Sequence, residues 1–151
     1  MARANAPSAP QDSASASRSP NVNTVTITPA LVDEVLATGL LTRLDADLTE
    51  RYPGEPINGI VPSEFRTAGG YFVLAHCEAR PVGCGAIWPY NAGTCEIKRM
   101  FVLPEFRGRG IARRCGMNIA GWLRFLIPGC VRVRSSRFRL RRGKPFEPLW
   151  G

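Results

Sequence analysis

The turn from Arg107 to Ala112 holds the residues of this chain whose types and spacing best suit the binding of a phosphate group. It reads Arg-Gly-Arg-Gly-Ile-Ala. Gly108 and Gly110 can adopt backbone dihedrals that other residues avoid, so successive N–H groups can point at one anion. A helix that begins directly after the turn adds the positive end of its dipole and its unbonded first amides. The sequence therefore predicts an anion site made of main-chain N–H groups.

The segment in front of this turn has the pattern of a β-strand. Ile97, Phe101 and Leu103 are its apolar positions, and Pro104 ends it because proline has no N–H for the sheet. Two familiar glycine loops do not fit the turn. The chain has no Gly-Lys-Ser or Gly-Lys-Thr, and Arg113 stands where the dinucleotide fingerprint has its third glycine.

The elements that must position this turn can be predicted from apolar periodicity. Residues 22–28 alternate with period two, which indicates a strand, and residues 29–48 carry apolar side chains at helical spacing. Short apolar runs at 71–75 and 82–88 predict a hairpin, and a third strand follows at 95–103. The helix after the turn has an apolar stripe that contains two interrupting glycines, Gly116 and Gly121; the stripe is Ile111, Cys115, Ile119, Trp122 and Leu126.

Taken together, the strand, turn and element order resemble the small bacterial members of the GNAT superfamily of N-acetyltransferases. Their signature is Arg or Gln, two residues, Gly, one residue, then Gly or Ala, and Arg107, Gly110 and Ala112 match it. The resemblance implies an α/β fold with a mixed, mainly antiparallel central sheet flanked by helices. It also implies acetyl-CoA as co-substrate, with the diphosphate on the turn and the pantetheine arm along the strand. The implied binding residues are Met100, Phe101, Val102, Arg107, Gly108, Arg109, Gly110, Ile111 and Ala112.

The same resemblance implies transfer of an acetyl group to a primary amine of a small molecule or peptide. Glu96 is the candidate catalytic base, because a glutamate on this strand takes the amine's proton in a number of such enzymes. An exposed strand charge is the alternative interpretation of Glu96. The family's usual general acid is a tyrosine after the turn helix, but Tyr52, Tyr71 and Tyr90 all precede the turn.

Charge divides the chain into two unequal parts. Residues 1–105 hold 8 Lys or Arg against 11 Asp or Glu, whereas residues 106–151 hold 12 against 1. We therefore predict a disordered leader at 1–20, an acyl-CoA-binding domain at 21–127 and an atypical basic tail at 128–151, with an incomplete or irregular C-terminal part of the fold. A shift of reading frame soon after Arg114 would explain the tail, and a divergent basic tail is the competing explanation. If the tail folds, Val131 and Val133 would face inward.

Two further functions remain open at this stage. One is a catalytically impaired acyl-CoA-binding remnant, and the other is nucleic-acid binding through the arginine-rich tail, which the scarcity of aromatic residues there disfavours. A homodimer is also left open.

Composition and cysteine spacing lead to further expectations about the site and the compartment. The five cysteines include no Cys-x-x-Cys pair and His76 is the single histidine, so we expect reduced thiols and no metal site. His76 lies within a predicted strand, where a structural role is expected. No apolar run is long enough for a signal or a membrane span, so we expect a cytoplasmic protein with no membrane partner.

Overall fold

Five strands and three α-helices form the part of the chain that the computed structural model describes, residues 24–126 and 132–134. The strands are β1 (Val25–Pro29), β2 (Tyr71–Cys77), β3 (Arg80–Asn91), β4 (Thr94–Val102) and β5 (Arg132–Arg134). The helices are α1 (Val35–Arg51), α2 (Pro62–Thr67) and α3 (Ile111–Leu126), and a short 3-10 helix occupies Pro104–Phe106.

The strands form one sheet in the order β1-β2-β3-β4-β5. The first three pairings are antiparallel, and β4 and β5 are parallel. The predicted mixed, mainly antiparallel sheet flanked by helices is therefore confirmed. The predicted hairpin is the β2–β3 pair, whose strands are joined at Cys77 and Arg80.

Helix α1 begins later than its sequence pattern predicts. Pro29 is still part of β1 and lies opposite Val73 in the sheet, so the helix starts at Val35 instead of 29. Its buried face is Ala37, Leu40 and Leu44. Three apolar residues that the periodicity assigned to that face are exposed instead: Leu31, Val35 and Leu36.

Helix α3 lies on the opposite side of the sheet from α2 and forms the second half of the core. Ile111, Cys115 and Ile119 of the predicted stripe are buried. The stripe does not continue to Trp122, which is 40% exposed and stacks on Tyr71 with ring centroids 5.1 Å apart. Helix and sheet are in close contact, because a side chain at Gly85 would meet Met100 and Ile119.

The predicted leader at 1–20 lies outside the described residues, and so does the predicted tail except for β5. Within that tail Val133 packs against the core while Arg132 and Arg134 are exposed, which is the arrangement expected for Val133. Among the described residues, no helix has the length and apolar character needed to cross a membrane. His76 lies in β2, opposite Thr26.

Candidate active site

The glycine turn is a tight bend between the 3-10 helix and α3. Phe106 N–H donates to Leu103 carbonyl at 2.9 Å, and Arg107 N–H donates to Pro104 carbonyl at 3.2 Å. Gly108 and Gly110 then have φ values of 73° and 74°, in the left-handed region that favours glycine. A Cβ at either glycine would meet no atom within 4 Å. The glycines are therefore needed for backbone conformation, and the space in front of them is open.

Several main-chain N–H groups in this bend have no carbonyl partner among the residues that the structure describes. The helical ladder begins with Arg114 N–H donating to Gly110 carbonyl at 3.1 Å. In the described part of the chain, no main-chain hydrogen bond is donated by Gly108, Gly110, Ile111 or Ala112. We call these four N–H groups the phosphate cradle. They lie at the positive end of a 16-residue helix, where an anion is favoured.

Arg107 makes contacts within the protein through both its main chain and its side chain. Its main-chain N–H donates to Pro104 carbonyl. Nε donates to Val102 carbonyl at 3.0 Å, and Nη2 lies 3.1 Å from Asp47 Oδ1. The guanidinium also lies over the ring of Phe101 at 5.7 Å. Arg107 therefore joins the turn, the end of β4 and α1.

Three further arginines near the turn, Arg80, Arg109 and Arg114, also have partners within the protein. Arg109 lies over the ring of buried Phe106 at 5.5 Å, and Arg80 lies over the same ring at 5.3 Å. Arg114 Nη2 donates to Val25 carbonyl at 2.5 Å, which ties α3 to β1.

A β-bulge interrupts β4 in front of the turn. Cys84 pairs with Phe101 but Ala86 pairs with Lys98, so β4 has one residue more than β3 over this stretch. Arg99 lies in the bulge with φ 55°, an uncommon conformation for a residue with a side chain. Its guanidinium, 6% exposed, donates to Asp45 on α1 and to Asn58 carbonyl. Cys84 Sγ donates to Arg99 carbonyl at 3.3 Å.

From 97 to 102, one edge of β4 is free of any strand that the structure describes, and this stretch is called the free edge below. β5 pairs with β4 only at Thr94, Cys95 and Glu96, and no described strand pairs with the same edge from 97 to 102. The side chains of Met100, Phe101 and Val102 are buried. A ligand beside this edge can therefore contact these three residues only through their main-chain groups.

Glu96 lies where β5 pairing ends, and its side chain is only 4% exposed. The interpretation of Glu96 as an exposed strand charge is therefore wrong. Oε2 lies 3.2 Å from Lys98 Nζ and accepts from Trp88 Nε1 at 3.4 Å, and Oε1 lies 3.4 Å from Arg134 Nε. Trp88, Glu96, Lys98 and Arg134 are called the Glu96 cluster below.

All three tyrosines precede α3 in the sequence, so none of them has the position of the tyrosine that usually follows the turn helix. Tyr71 donates to Asn118 Oδ1 at 3.2 Å, and burial raises the pKa of the Tyr71 hydroxyl. Tyr52 is 45% exposed, and Tyr90 lies under the guanidinium of Arg134 at 4.0 Å.

Sequence reasoning missed the bulge and three members of the Glu96 cluster. One signal of the bulge is present in the sequence, because Lys98 and Arg99 are two consecutive charged residues in an otherwise alternating strand. No local signal connects Arg134 with Glu96. In the described residues, no cluster of histidine, cysteine or acidic groups could hold a metal ion.

Comparison with known proteins gives a family match and several similar folds. Residues 37–136 match the acetyltransferase (GNAT) family. An "IAA acetyltransferase" of Azospirillum brasilense is 36% identical over 96 residues, 63% of this chain and 61% of that protein.

Solved structures with the same fold include a putative acyl-CoA N-acyltransferase from Klebsiella pneumoniae, with TM-score 0.51 and 22% identity over 66% of this chain and 63% of that one. They also include the aminoglycoside acetyltransferase meta-AAC0020 from an uncultured soil sample, in complex with sisomicin. Its TM-score is 0.53 at 15% identity, with 80% of each chain covered. The chain thus spans less than two thirds of the length of the Azospirillum and Klebsiella proteins.

Proposed function

This chain belongs to the acetyltransferase (GNAT) family, and we propose that it transfers the acetyl group of acetyl-CoA to a primary amine. The observation that carries the proposal is the phosphate cradle next to the free edge of β4. A pyrophosphate needs several converging donors, and a pantetheine arm needs an unpaired strand edge. The two features lie end to end in this structure.

In this proposal the cradle binds the diphosphate of acetyl-CoA through N–H groups of Gly108, Gly110, Ile111 and Ala112. The side chains of Ile111 and Ala112 are buried, so they take part through the main chain alone. Arg107 acts as a positioning residue, because its guanidinium holds the turn against β4 and α1. Arg109, half-buried beside the turn, is the remaining candidate for a side-chain contact with a phosphate.

The arm of acetyl-CoA would follow the main chain of Met100, Phe101 and Val102 and bring the thioester to the Glu96 cluster. A strand rises about 3.3 Å per residue, so the six steps from Val102 to Glu96 span about 20 Å. Val102 carbonyl is held by Arg107. The pantetheine amides must therefore bond other main-chain groups of this edge or displace that guanidinium.

The reaction needs a neutral amine and an aligned thioester. It also needs a group that accepts the amine's proton and a group that stabilises the negative charge on the carbonyl oxygen. The amine nitrogen attacks the carbonyl carbon, the carbon–sulfur bond breaks, and coenzyme A leaves as a thiolate that takes a proton from water. The amine gives its extra proton to Glu96, directly or through one water molecule. A main-chain N–H at the bulge would stabilise the oxyanion.

Alignment of the two reactants can supply a large part of the rate. Effective molarities correspond to about 7–11 kcal/mol of the barrier. Activity therefore does not require the tyrosine that commonly protonates the thiolate in this family.

Calorimetric titration with acetyl-CoA tests the cradle. Gly110→Glu places a carboxylate in the open space. We expect wild type to bind acetyl-CoA and this variant to show no binding. Gly54→Glu is the matched control, because Gly54 has φ 85°, equally open surroundings and a place outside the phosphate cradle. Both substitutions carry the same backbone strain. Absence of binding by wild type, or equal binding by the two variants, would contradict the proposal.

A second candidate is an acyl-CoA-binding protein without turnover. The absence of a tyrosine after residue 90 favours it. Thiol release from acetyl-CoA with a panel of amines separates the two candidates, since a binding protein would show saturable binding and no amine-dependent release.

A further inference from the structure

The Glu96 cluster is a mixed-charge patch on the face of the sheet that carries α2. Trp88 on β3 lies directly opposite Glu96, and Arg134 on β5 lies beside Glu96 in the parallel register. The ring of Phe65 on α2 is 5.8 Å from the ring of Trp88. Trp88 and the cluster around it therefore belong to the α2 face.

The negative charge in this patch is buried, and the positive charges are at the surface. Glu96 is 4% exposed, whereas the side chains of Lys98 and Arg134 are 30% and 45% exposed. Among the described residues, Glu96 is the only acidic partner of either cation. An incoming molecule therefore meets two cations that share one carboxylate.

Within residues 24–126 and 132–134, both cations keep donors that no partner takes. Lys98 Nζ has three N–H groups and lies over the ring of Trp88 at 4.7 Å. Arg134 uses Nε toward Glu96, and its terminal nitrogens donate no hydrogen bond to any described residue. The guanidinium is held over Tyr90 at 4.0 Å. Its planar fork suits a carboxylate, which it can bind through two parallel hydrogen bonds.

From this arrangement we infer that the acceptor amine also carries a carboxylate, which Lys98 and Arg134 bind. The inference rests on the proposed function, since that function places the thioester beside the cluster. A polycationic amine would gain no net attraction from one carboxylate that already faces two cations. The same positive charge favours the neutral, reactive form of the amine over its ammonium form.

The test compares acceptors that differ only in the carboxylate, such as phenylalanine with phenethylamine and lysine with cadaverine. Thiol release is measured at saturating acetyl-CoA. We expect kcat/KM to be at least about tenfold higher for the amino acid of each pair, which corresponds to about 1.4 kcal/mol. Lys98→Met should remove most of that preference, and Lys98→Arg should restore it.

Arg66→Gln is the control for loss of a positive charge. Arg66 lies on α2 and pairs with Asp33 at 2.7 Å, and within the described part of the chain none of its ion pairs involves a residue of the cluster. It should leave the preference unchanged. An equal effect of Arg66→Gln and Lys98→Met would overturn the inference, because net charge alone would then explain the selectivity.

A second readout does not depend on turnover. N-acetylphenylalanine and N-acetylphenethylamine, the two products of the first pair, are titrated calorimetrically without acetyl-CoA. Tighter binding of the carboxylate-bearing product by wild type, weakened by Lys98→Met, supports the inference.

The two proposals fail in different ways. If acetyl-CoA is bound and consumed but the decarboxylated amines are equal or better acceptors, this inference is wrong and the proposed function stands. If wild type neither binds nor consumes acetyl-CoA, both are wrong.

Discussion

The phosphate cradle and the Glu96 cluster lie at opposite ends of the same stretch of β4, but they are built in different ways. The cradle consists of main-chain N–H groups whose direction is set by Gly108 and Gly110 and by the start of α3. The cluster consists of side chains from β3, β4 and β5 that meet only after the sheet has formed. Ligand binding at the cradle should therefore depend on the two glycines and little on the side chains around them, whereas the function of the cluster should depend on its side chains.

The most severe test of this difference is Glu96→Gln. The amide keeps the size of the side chain but cannot take the amine's proton, so we expect kcat to fall by about 10²–10⁴-fold. Acetyl-CoA affinity should stay near that of wild type, since the cradle is untouched. Steady-state kinetics and calorimetry measure the two quantities separately. An unchanged kcat would remove Glu96 from the mechanism.

Arg99 connects the two regions, because the bulge lies between them. Arg99→Leu removes the hydrogen bonds to Asp45 and Asn58 carbonyl, and we expect the free energy of unfolding to fall by about 1.5–3 kcal/mol, the range for hydrogen bonds of charged groups. Denaturant unfolding measures it. Arg66→Leu is the matched control, since its ion pair with Asp33 is half exposed on both sides and should contribute about 0–1 kcal/mol. Equal losses of unfolding free energy in the two variants would show that the Arg99 contacts stabilise the fold no more than an exposed ion pair does.

The thiol beneath the bulge gives a pH-dependent test. Burial raises the pKa of the Cys84 thiol, and burial likewise raises the pKa of Cys115 to about 12. In the unfolded chain a thiol ionises near pH 8.5, so above that pH the unfolded state holds fewer protons than the folded state. The free energy of unfolding should then fall by up to about 1.4 kcal/mol per pH unit for each thiol until the folded pKa is reached.

Unfolding at several pH values between 8 and 11 measures this slope. Cys84→Ala should make it shallower, because one of the two raised thiols is removed. A slope that Cys84→Ala leaves unchanged would contradict the assignment of the pH dependence to this thiol. Below pH 8 the thiols should have no effect, since both states are protonated.

The smallest expected effect concerns Arg107 and Asp47. Their side chains are 24% and 23% exposed, and Asp47 also pairs with Arg51 at 3.1 Å. A double-mutant cycle with Arg107→Gln and Asp47→Asn should give a coupling of about 0.2–1 kcal/mol in unfolding experiments. A coupling of zero would mean that Arg107 positions the turn through its contacts with Val102 carbonyl and Phe101 and not through Asp47.

The phosphate cradle could be predicted from the sequence, whereas the Glu96 cluster could be predicted only in part. Local patterns specify the β2–β3 hairpin, the strand before Pro104, and the glycines at 108 and 110, because each depends on neighbouring residues. Glu96 was identified, but its burial was not. Its partner Arg134 is 38 residues away along the chain, and no spacing rule connects them.

Two further differences have the same cause. Periodicity predicted α1 from residue 29, but pairing of Pro29 with Val73 in the sheet delays the helix. The motif predicts a ligand-binding role for Arg107, which stays a prediction, and it does not reveal the contacts of this side chain with Val102 and Asp47. In both cases the local pattern misses a contact distant in sequence. The domain boundary at 127 and the frameshift hypothesis stay predictions, and sequencing the genomic locus tests the second.

The central claim is that main-chain N–H groups at the start of α3 bind the diphosphate of acetyl-CoA. Amide NMR of the full chain during titration with acetyl-CoA tests it most directly. We predict that the Gly108 and Gly110 amide resonances shift strongly downfield, while those of Gly54 and Gly69, which also have positive φ, stay in place. Unshifted resonances at Gly108 and Gly110 with saturating acetyl-CoA bound would contradict the claim.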